Sequence, residues 1–409
     1  MEQQLNLFSN NMFHYQLDNG INVSFIKVPE QKQNLAMLTV SCGSYYNQYL
    51  DSNDKIVVSP SGMAHFLEHI LFDNEEKKIH EQFAENGAMA NAFTSYDKTS
   101  FFVSTIGDLK NTINILLKTV YNPLFNKSMV DREKEVIKQE ISMYQTNHDY
   151  QSDIKLMSIF KSDSQFNILG SIEDVEKITT EQLYNYHKTY YQPDNMYLTV
   201  MGDFEIEQLF KEIQQLVKTL PHYKIKKFPM EKLNNVSINL AYHEETIRLG
   251  WVIPLSTSGL GIESYFIYKI GFEALFGERS QFSYELQKNG DIVKPVQFKL
   301  EYINDEFYLV LEMQGKYSDN IKDKIIEYFN KIKSGEIDSN IFAVTKKQIY
   351  GDWIHSFDEP FEFIYDLTEV FNLKLTMDTY LNNLMNIKEE KILKYLQKII
   401  DEELLRTIS

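Results

Sequence analysis

Two histidines and a glutamate stand inside one apolar segment, GMAHFLEHILF at 62–72. On an α-helix, His65, Glu68 and His69 share about 100° of arc, and apolar side chains cover the rest of the surface. Polar groups inside an apolar shell are costly unless they are paired, hydrogen-bonded or bound to a metal ion. Histidines at i and i+4 can direct two ring nitrogens at one zinc ion, and the glutamate can take a proton from water. The segment therefore predicts a zinc site with a general base; two satisfied core histidines and an edge glutamate are the alternative.

A catalytic zinc ion takes three protein ligands and keeps one position open. The third ligand has several possible sources in the sequence. His80, His148 and His187 can each bind a metal ion, but none of them stands in a comparably patterned segment. The spacing of the first two ligands leaves this choice open.

A better source of the third ligand is SMVDREKEVIKQEISMY at 128–144. Its pattern predicts a helix that begins with a capping arrangement of Ser128 and Asp131. Glu133 and Glu140 are seven residues apart and share one face of that helix. Solvated surface acids are the alternative for both.

The composition limits the classes of function. With 409 residues, 43% hydrophobic and 24% charged, the chain is globular and long enough for two or more domains. A formal net charge of −17 argues against nucleic acid as a partner and favours basic or neutral peptides. The apolar stretches are shorter than a membrane span requires.

Cys42 is the single cysteine, which excludes an intramolecular disulfide and a thiolate zinc site. The first residues, MEQQLNLFSNN, lack the basic and apolar regions of a secretory signal. From both features we expect a cytoplasmic location.

The two halves of the chain resemble each other. In both, an LF pair and a short helical segment precede an Asn-Gly, at Asn86-Gly87 and at Asn289-Gly290, and two extended segments follow. The pattern predicts a duplicated α+β unit. Only the first copy carries the His–Glu–His face; the second has FEA at 272–274 near the same place.

The predicted domains follow from this repeat. We expect an N-terminal zinc-binding domain at 1–220, a proline-containing charged linker at 221–235, and a homologous C-terminal domain at 236–409.

Three motifs together resemble one family: AHFLEHILF at 64–72, NAFTS at 91–95 and EKEVIKQEISMY at 133–144. They are similar to the inverted zinc metallopeptidases, which include pitrilysin, insulin-degrading enzyme and mitochondrial processing peptidase. The length and HKTYYQPDNMYLTVMGDF at 187–204 resemble the short bacterial members of the processing-peptidase type. The resemblance implies a duplicated α+β fold, with two halves that face each other around a cavity.

The resemblance also implies roles for single residues. It makes His65, His69 and Glu140 the zinc ligands and Glu68 the general base, with Glu133 supporting the surroundings of the metal. The implied activity is zinc-dependent hydrolysis of peptide bonds in short peptides or in unfolded or leader segments. A second implication is that Ala90, Asn91 and Ala92 hold the substrate by pairing with its backbone. A plain core strand is the alternative for that stretch.

The second half departs from the family pattern. Gln281 stands where active relatives carry an arginine, and the expected tyrosine does not follow Gly290. Arg279 and Tyr284 are nearby but out of frame for that role. We therefore expect a homodimer, or a heterodimer with a homologous subunit that supplies the missing groups.

A non-catalytic or weakly active subunit of a heteromeric peptidase or scaffold is one alternative to an active enzyme. A peptide-binding module with a structural metal is another, although such a zinc ion is normally closed by four protein ligands.

Overall fold

The computed structural model describes residues 11–72, 78–147, 150–151, 154, 166–218, 220, 237–243, 246–315, 320–400 and 404. Its strands are β1 (Met12–Gln16), β2 (Asn22–Lys27), β3 (Asn34–Val40), β4 (Gln48–Leu50), β5 (Ile56–Val58), β6 (Ala88–Thr94), β7 (Thr99–Thr105), β8 (Met196–Gly202), β9 (Ser237–His243), β10 (Thr246–Pro254), β11 (Gln297–Ile303) and β12 (Glu306–Gln314). Its α-helices are α1 (Met63–Phe72), α2 (Ile79–Glu85), α3 (Leu109–Tyr121), α4 (Lys127–Tyr144), α5 (Ile172–Lys177), α6 (Thr180–Tyr190), α7 (Ile206–Val217), α8 (Leu255–Ser258), α9 (Glu263–Phe276), α10 (Gln281–Lys288), α11 (Asn320–Lys333), α12 (Asn340–Phe357), α13 (Pro360–Asn372), α14 (Met377–Asn386) and α15 (Glu389–Ile399).

The described residues form two compact units, and neither unit is one continuous stretch of chain. The first draws on Met1–Thr146, Ser162–Pro229 and Glu359–Asn372, and the second on Asn147–Lys161, Met230–Asp358 and Leu373–Ser409. The linker predicted at 221–235 lies outside the described residues, so the domain boundaries at 220 and 236 stay a prediction. The sequence did not predict that α13 belongs to the first unit.

The first unit is built on a six-stranded mixed sheet with the order β1-β2-β8-β3-β7-β6. The β2–β8 pair is parallel and the other pairs are antiparallel. Among the described strands, β6 lies at one edge of this sheet. Because side chains alternate along a strand, Thr94 and Phe101 lie on one face of the β6–β7 hairpin, and Phe93 and Phe102 lie on the other.

Helix α1 is buried against the first of these faces. Every residue of α1 except His69 is buried, and the ring of Phe72 lies 5.5 Å from that of Phe101. Gly62 precedes the helix with a φ of +84°, and a Cβ there would lie 2.5 Å from the carbonyl oxygen of Leu169. Only glycine fits this close approach in the left-handed region. The apolar sequence and the Gly62 turn therefore fix the position of the His–Glu–His segment.

Helix α13 covers the opposite face of the same sheet. The ring of Phe361 lies 4.6 Å from Phe102, and Phe371 stacks on Tyr197 at 5.3 Å. At the end of the helix, Asn372 donates a hydrogen bond from Nδ2 to Oδ2 of Asp97 at 2.8 Å. These aromatic contacts explain why a helix from the last part of the chain joins the first unit.

The second unit contains a four-stranded antiparallel sheet with the order β11-β12-β10-β9. Helix α9 is buried on it, with Phe272 packed 6.2 Å from Trp251 and 5.8 Å from Phe298. At the place predicted to mirror the histidines, the second unit therefore has an apolar core.

The two units repeat one local plan. In the first, Asn86 is the C-cap of α2, Gly87 follows with a φ of +65°, and β6 and β7 form a hairpin. In the second, Asn289 is the C-cap of α10, Gly290 follows with a φ of +75°, and β11 and β12 form a hairpin. The predicted α+β class and the predicted duplication are confirmed.

The predicted location of the protein rests in part on its single cysteine and on its short apolar stretches. Cys42 is a free cysteine, and it is buried, with Sγ 3.1 Å from the hydroxyl of Tyr186. None of the described helices has the length and apolar character needed to cross a membrane. The cytoplasmic location stays a prediction.

We predict that Phe371→Ala destabilises the first unit by about 3 kcal/mol, because it leaves a cavity beneath Tyr197 at a site that is 7% exposed. Hydrogen exchange of the β3 and β8 amides measures the loss as faster opening. Tyr284→Ala, at a site that is 57% exposed, is the control and should leave these amides unchanged. Equal exchange in both variants would contradict the assigned packing of α13.

Candidate metal centre

Helices α1 and α4 bring three possible metal ligands together. Oε2 of Glu140 lies 3.6 Å from Nε2 of His65 and 3.4 Å from Nε2 of His69. The ligand atoms of the three side chains all lie within 4.8 Å of one another. Within the described part of the chain, this is the one group of three or more histidine, cysteine or acidic side chains with such spacing.

This group fits a zinc ion. Ligand atoms at about 2.0–2.1 Å from a tetrahedral zinc ion lie about 3.4 Å from each other, close to the separations of Oε2 from the two nitrogens. Oε2 of Glu140 is buried and has no hydrogen-bond partner among the described residues. A buried carboxylate oxygen in this situation is costly unless a cation compensates it. The donor set of two imidazoles and one carboxylate is one that zinc favours.

Glu133 orients one of the imidazoles. Nδ1 of His69 donates a hydrogen bond to Oε1 of Glu133 at 2.9 Å. As a metal ligand, His69 would keep its proton on Nδ1 and leave Nε2 free, 3.4 Å from Oε2 of Glu140. A carboxylate behind a histidine ligand fixes the ring and increases its basicity.

The surroundings of the two histidines favour different charges. Burial and the neighbouring His69 lower the pKa of His65 to about 3, so its ring is neutral. Burial also acts to lower the pKa of His69, but the neighbouring carboxylates, Glu133 before Glu140, outweigh burial and raise that pKa to about 10. Burial alone would raise the pKa of Glu140, but the two histidines lower it. The carboxylates around His69 therefore favour a positive charge at this position.

The predicted face of α4 is correct, but its predicted start is wrong. The helix begins at Lys127, and its capping residue is Asn126, whose side chain accepts a hydrogen bond from the backbone N–H of Met129 at 3.1 Å. The hydroxyl of Ser128 donates to Oδ1 of Asn126 at 2.8 Å. Asparagine in an extended conformation is as good a cap as serine, and here it comes two residues earlier.

Glu68 is buried on α1, one residue before His69. Its Oε2 accepts a hydrogen bond at 2.8 Å from the hydroxyl of Thr94, the last residue of β6. The predicted base therefore contacts the strand that is predicted to hold the substrate.

The three predicted substrate-binding residues lie in β6, at the edge of the first sheet. Asn91 is exposed, and Ala90 and Ala92 are half-buried. The backbone N–H of Ala92 donates to Oδ1 of Asn91 at 2.8 Å. The edge position is the one that pairing with a peptide requires.

Two protein-family models match this chain, and together their matches span most of it. The family model described as Insulinase (Peptidase family M16) matches residues 23–169, and that described as Peptidase M16 inactive domain matches residues 177–349. The chain belongs to the M16 peptidase family.

Known proteins are similar to this chain over different shares of its length. Zinc protease YmfH of Bacillus subtilis is 24% identical over 414 residues, covering 96% of this chain and 94% of YmfH. Mitochondrial-processing peptidase subunit beta of Dictyostelium discoideum is 27% identical over 207 residues, 49% of this chain and 42% of that protein. An M16-like peptidase from Alicyclobacillus acidocaldarius superimposes with a TM-score of 0.81 at 22% identity, covering 95% of both chains. This structural similarity shows that the two proteins share a fold.

The other histidines considered as the third ligand lie in different surroundings. The ring of His80 packs 5.9 Å from that of Phe72. His187 is buried, with Nε2 hydrogen-bonded to the carbonyl oxygen of Val120 at 2.7 Å. His148 lies outside the described residues. Glu140 is thus the candidate that the structure groups with His65 and His69.

The divergent residues of the second unit are engaged locally. Nε2 of Gln281 donates to Oε1 of Glu285 at 2.9 Å. Arg279 lies 3.6 Å from Asp352, with both side chains exposed, and Tyr284 is exposed as well.

We predict that His69→Ala removes bound zinc from this M16 chain without unfolding it, because the ligand is lost while both sheets keep their cores. Metal content by mass spectrometry measures the loss, and circular dichroism reports the fold. His80→Ala, which removes an exposed histidine of the same unit, should keep stoichiometric zinc. Full zinc content in purified His69→Ala would show that the ligand assignment is wrong.

Proposed function

We propose that this chain is a zinc-dependent endopeptidase that hydrolyses peptide bonds in short peptides or in unfolded or leader segments. The observation that carries the proposal is the grouping of Glu140, on α4, with His65 and His69, which lie beside Glu68 on the otherwise apolar helix α1. The relative YmfH is named a zinc protease, which supports zinc as the metal. A cytoplasmic location is part of the same proposal.

Each residue of the site has a separate role in the proposed hydrolysis. His65, His69 and Glu140 would hold the zinc ion, and Glu133 would keep Nε2 of His69 turned towards it. Zinc supplies polarisation of the scissile carbonyl and a lower pKa for water. Glu68 takes the proton of the attacking water and delivers it to the leaving amine.

The edge strand β6 is the proposed peptide-binding site. A substrate that pairs with Ala90–Ala92 adds a strand to the first sheet and gains backbone hydrogen bonds. At Ala92 the peptide has to replace the bond that Asn91 makes to the backbone N–H. Binding through backbone groups suits segments that are extended or unfolded.

We predict that Glu68→Gln keeps zinc and loses turnover. The amide has nearly the same shape but cannot take the proton, and loss of a general base lowers the rate by about 10² to 10⁴. Peptide-library digestion by the zinc-loaded variant, next to the wild type, measures the effect. Cleavage at the wild-type rate would show that another group is the base.

The second candidate function is a non-catalytic or weakly active subunit of a heteromeric peptidase or scaffold. Gln281 favours it, because this residue stands where active relatives carry an arginine. Two relatives are named as beta subunits of mitochondrial processing peptidase, which supports a homologous partner. The grouping of His65, His69 and Glu140 favours the first candidate, the zinc-dependent endopeptidase.

We predict that the isolated chain cleaves peptides slowly and that a homologous partner restores the rate. A missing donor to the developing oxyanion lowers kcat by about 10² to 10³, and a partner can supply that donor. Chains that co-purify from the native source are identified, and hydrolysis is compared for this chain, for the partner and for the mixture. Full activity of the isolated chain, unchanged in the mixture, would contradict the need for a partner; Arg279 and Tyr284 would then be the next residues to test.

A further inference from the structure

We propose that Thr94 is a positioning residue for Glu68, and that its hydroxyl holds the carboxylate in the orientation that proton transfer requires. This inference rests on the proposed function, because it assigns a role within the same site. Thr94 acts through Glu68, whose Oε2 lies 2.8 Å from Oγ1 of Thr94.

The direction of this hydrogen bond follows from its neighbours. Oγ1 of Thr94 also lies 3.5 Å from Oγ1 of Thr99, its partner across the hairpin. Thr99 directs its own proton to the carbonyl oxygen of Cys42 at 2.8 Å. Ionised Glu68 can only accept. Thr94 therefore donates its one proton to Glu68, and Thr99 does not compete as an acceptor at that longer distance.

The backbone around Thr94 holds the hydroxyl in place. Thr94 is paired with Thr99 at the end of the hairpin, and the next residue, Ser95, donates from its backbone N–H to the carbonyl oxygen of Lys98 at 2.8 Å. The turn itself is held by Asp97, which is buried and accepts from Ser95 and from Asn372. Helix α13 thus braces the turn from the face opposite to Glu68.

A glutamate used as a base needs such an anchor. Its carboxylate turns about a broad, soft final torsion, and a base must lie within hydrogen-bond reach of the water it deprotonates. Glu68 is only 6% exposed, so the bond from Thr94 is shielded from competing water. Because Thr94 ends the strand proposed to bind the peptide, one strand would set the positions of both substrate and base.

The test uses Thr94→Val, which removes the hydroxyl at nearly constant shape, and Thr94→Ser, which keeps it. Thr39→Val is the matched control: it removes another buried hydroxyl of the same sheet, 2.8 Å from Oγ of Ser100, on the face that carries α13. All three are prepared zinc-loaded, with any co-purifying chains retained. Steady-state hydrolysis gives kcat and KM, and crystal structures give the orientation of Glu68.

We expect Thr94→Val to lower kcat by about 10-fold, less than the loss of the base itself, with KM and zinc content unchanged. Its Glu68 carboxylate should rotate or take several orientations. Thr94→Ser and Thr39→Val should keep both kcat and the wild-type orientation. This split separates positioning from folding, since a purely structural defect would affect Thr39→Val equally.

Several results would overturn the proposal. Wild-type kcat in Thr94→Val, equal impairment in Thr94→Ser, or an unchanged Glu68 in the Thr94→Val crystal each contradicts it. Wild-type protein without activity, or active Glu68→Gln, contradicts the proposed function instead, and is seen before any Thr94 variant is compared. The crystal comparison still decides in that case whether Thr94 holds Glu68.

Discussion

The first unit has to compensate the charge of one buried carboxylate oxygen. Oε2 of Glu140 lies between the Nε2 atoms of His65 and His69 and has no hydrogen-bond partner among the described residues. A buried carboxylate is tolerated only with positive charge beside it. A zinc ion at this point would satisfy the oxygen and both nitrogens together. The buried carboxylate is therefore the group that favours a cation at this site.

The fold keeps these groups in place from several sides. Helix α1 is buried and cannot turn its histidines outward, and Glu133 holds the ring of His69 from behind. The β6–β7 hairpin contacts α1 through Thr94, and α13 covers the other face of that hairpin through Phe361. Close packing of this kind transmits small displacements, so residues far from His65, His69 and Glu140 can affect the positions of these side chains.

Part of this arrangement could be predicted from the sequence. His65, Glu68 and His69 were found because helical spacing is a local property, and the i and i+7 spacing of Glu133 and Glu140 is local too. Helical spacing did not decide between Glu140 and the histidines, since that choice depends on which helices touch. Family resemblance supplied it.

The remaining features depend on contacts between distant parts of the chain. The hydroxyl of Thr94 meets Glu68 only after the sheet has formed, and α13 joins the first unit through aromatic contacts that no periodicity encodes. The start of α4 differs from the prediction for a different reason, because Asn126, two residues before Ser128, is an equally good cap.

The most direct test of this account is anomalous diffraction at the zinc edge from crystals of the zinc-loaded protein. The account predicts one peak in the first unit, at about 2.0–2.2 Å from Nε2 of His65, Nε2 of His69 and Oε2 of Glu140. A zinc peak bound elsewhere, or none at these three atoms in crystals grown with zinc, would contradict it.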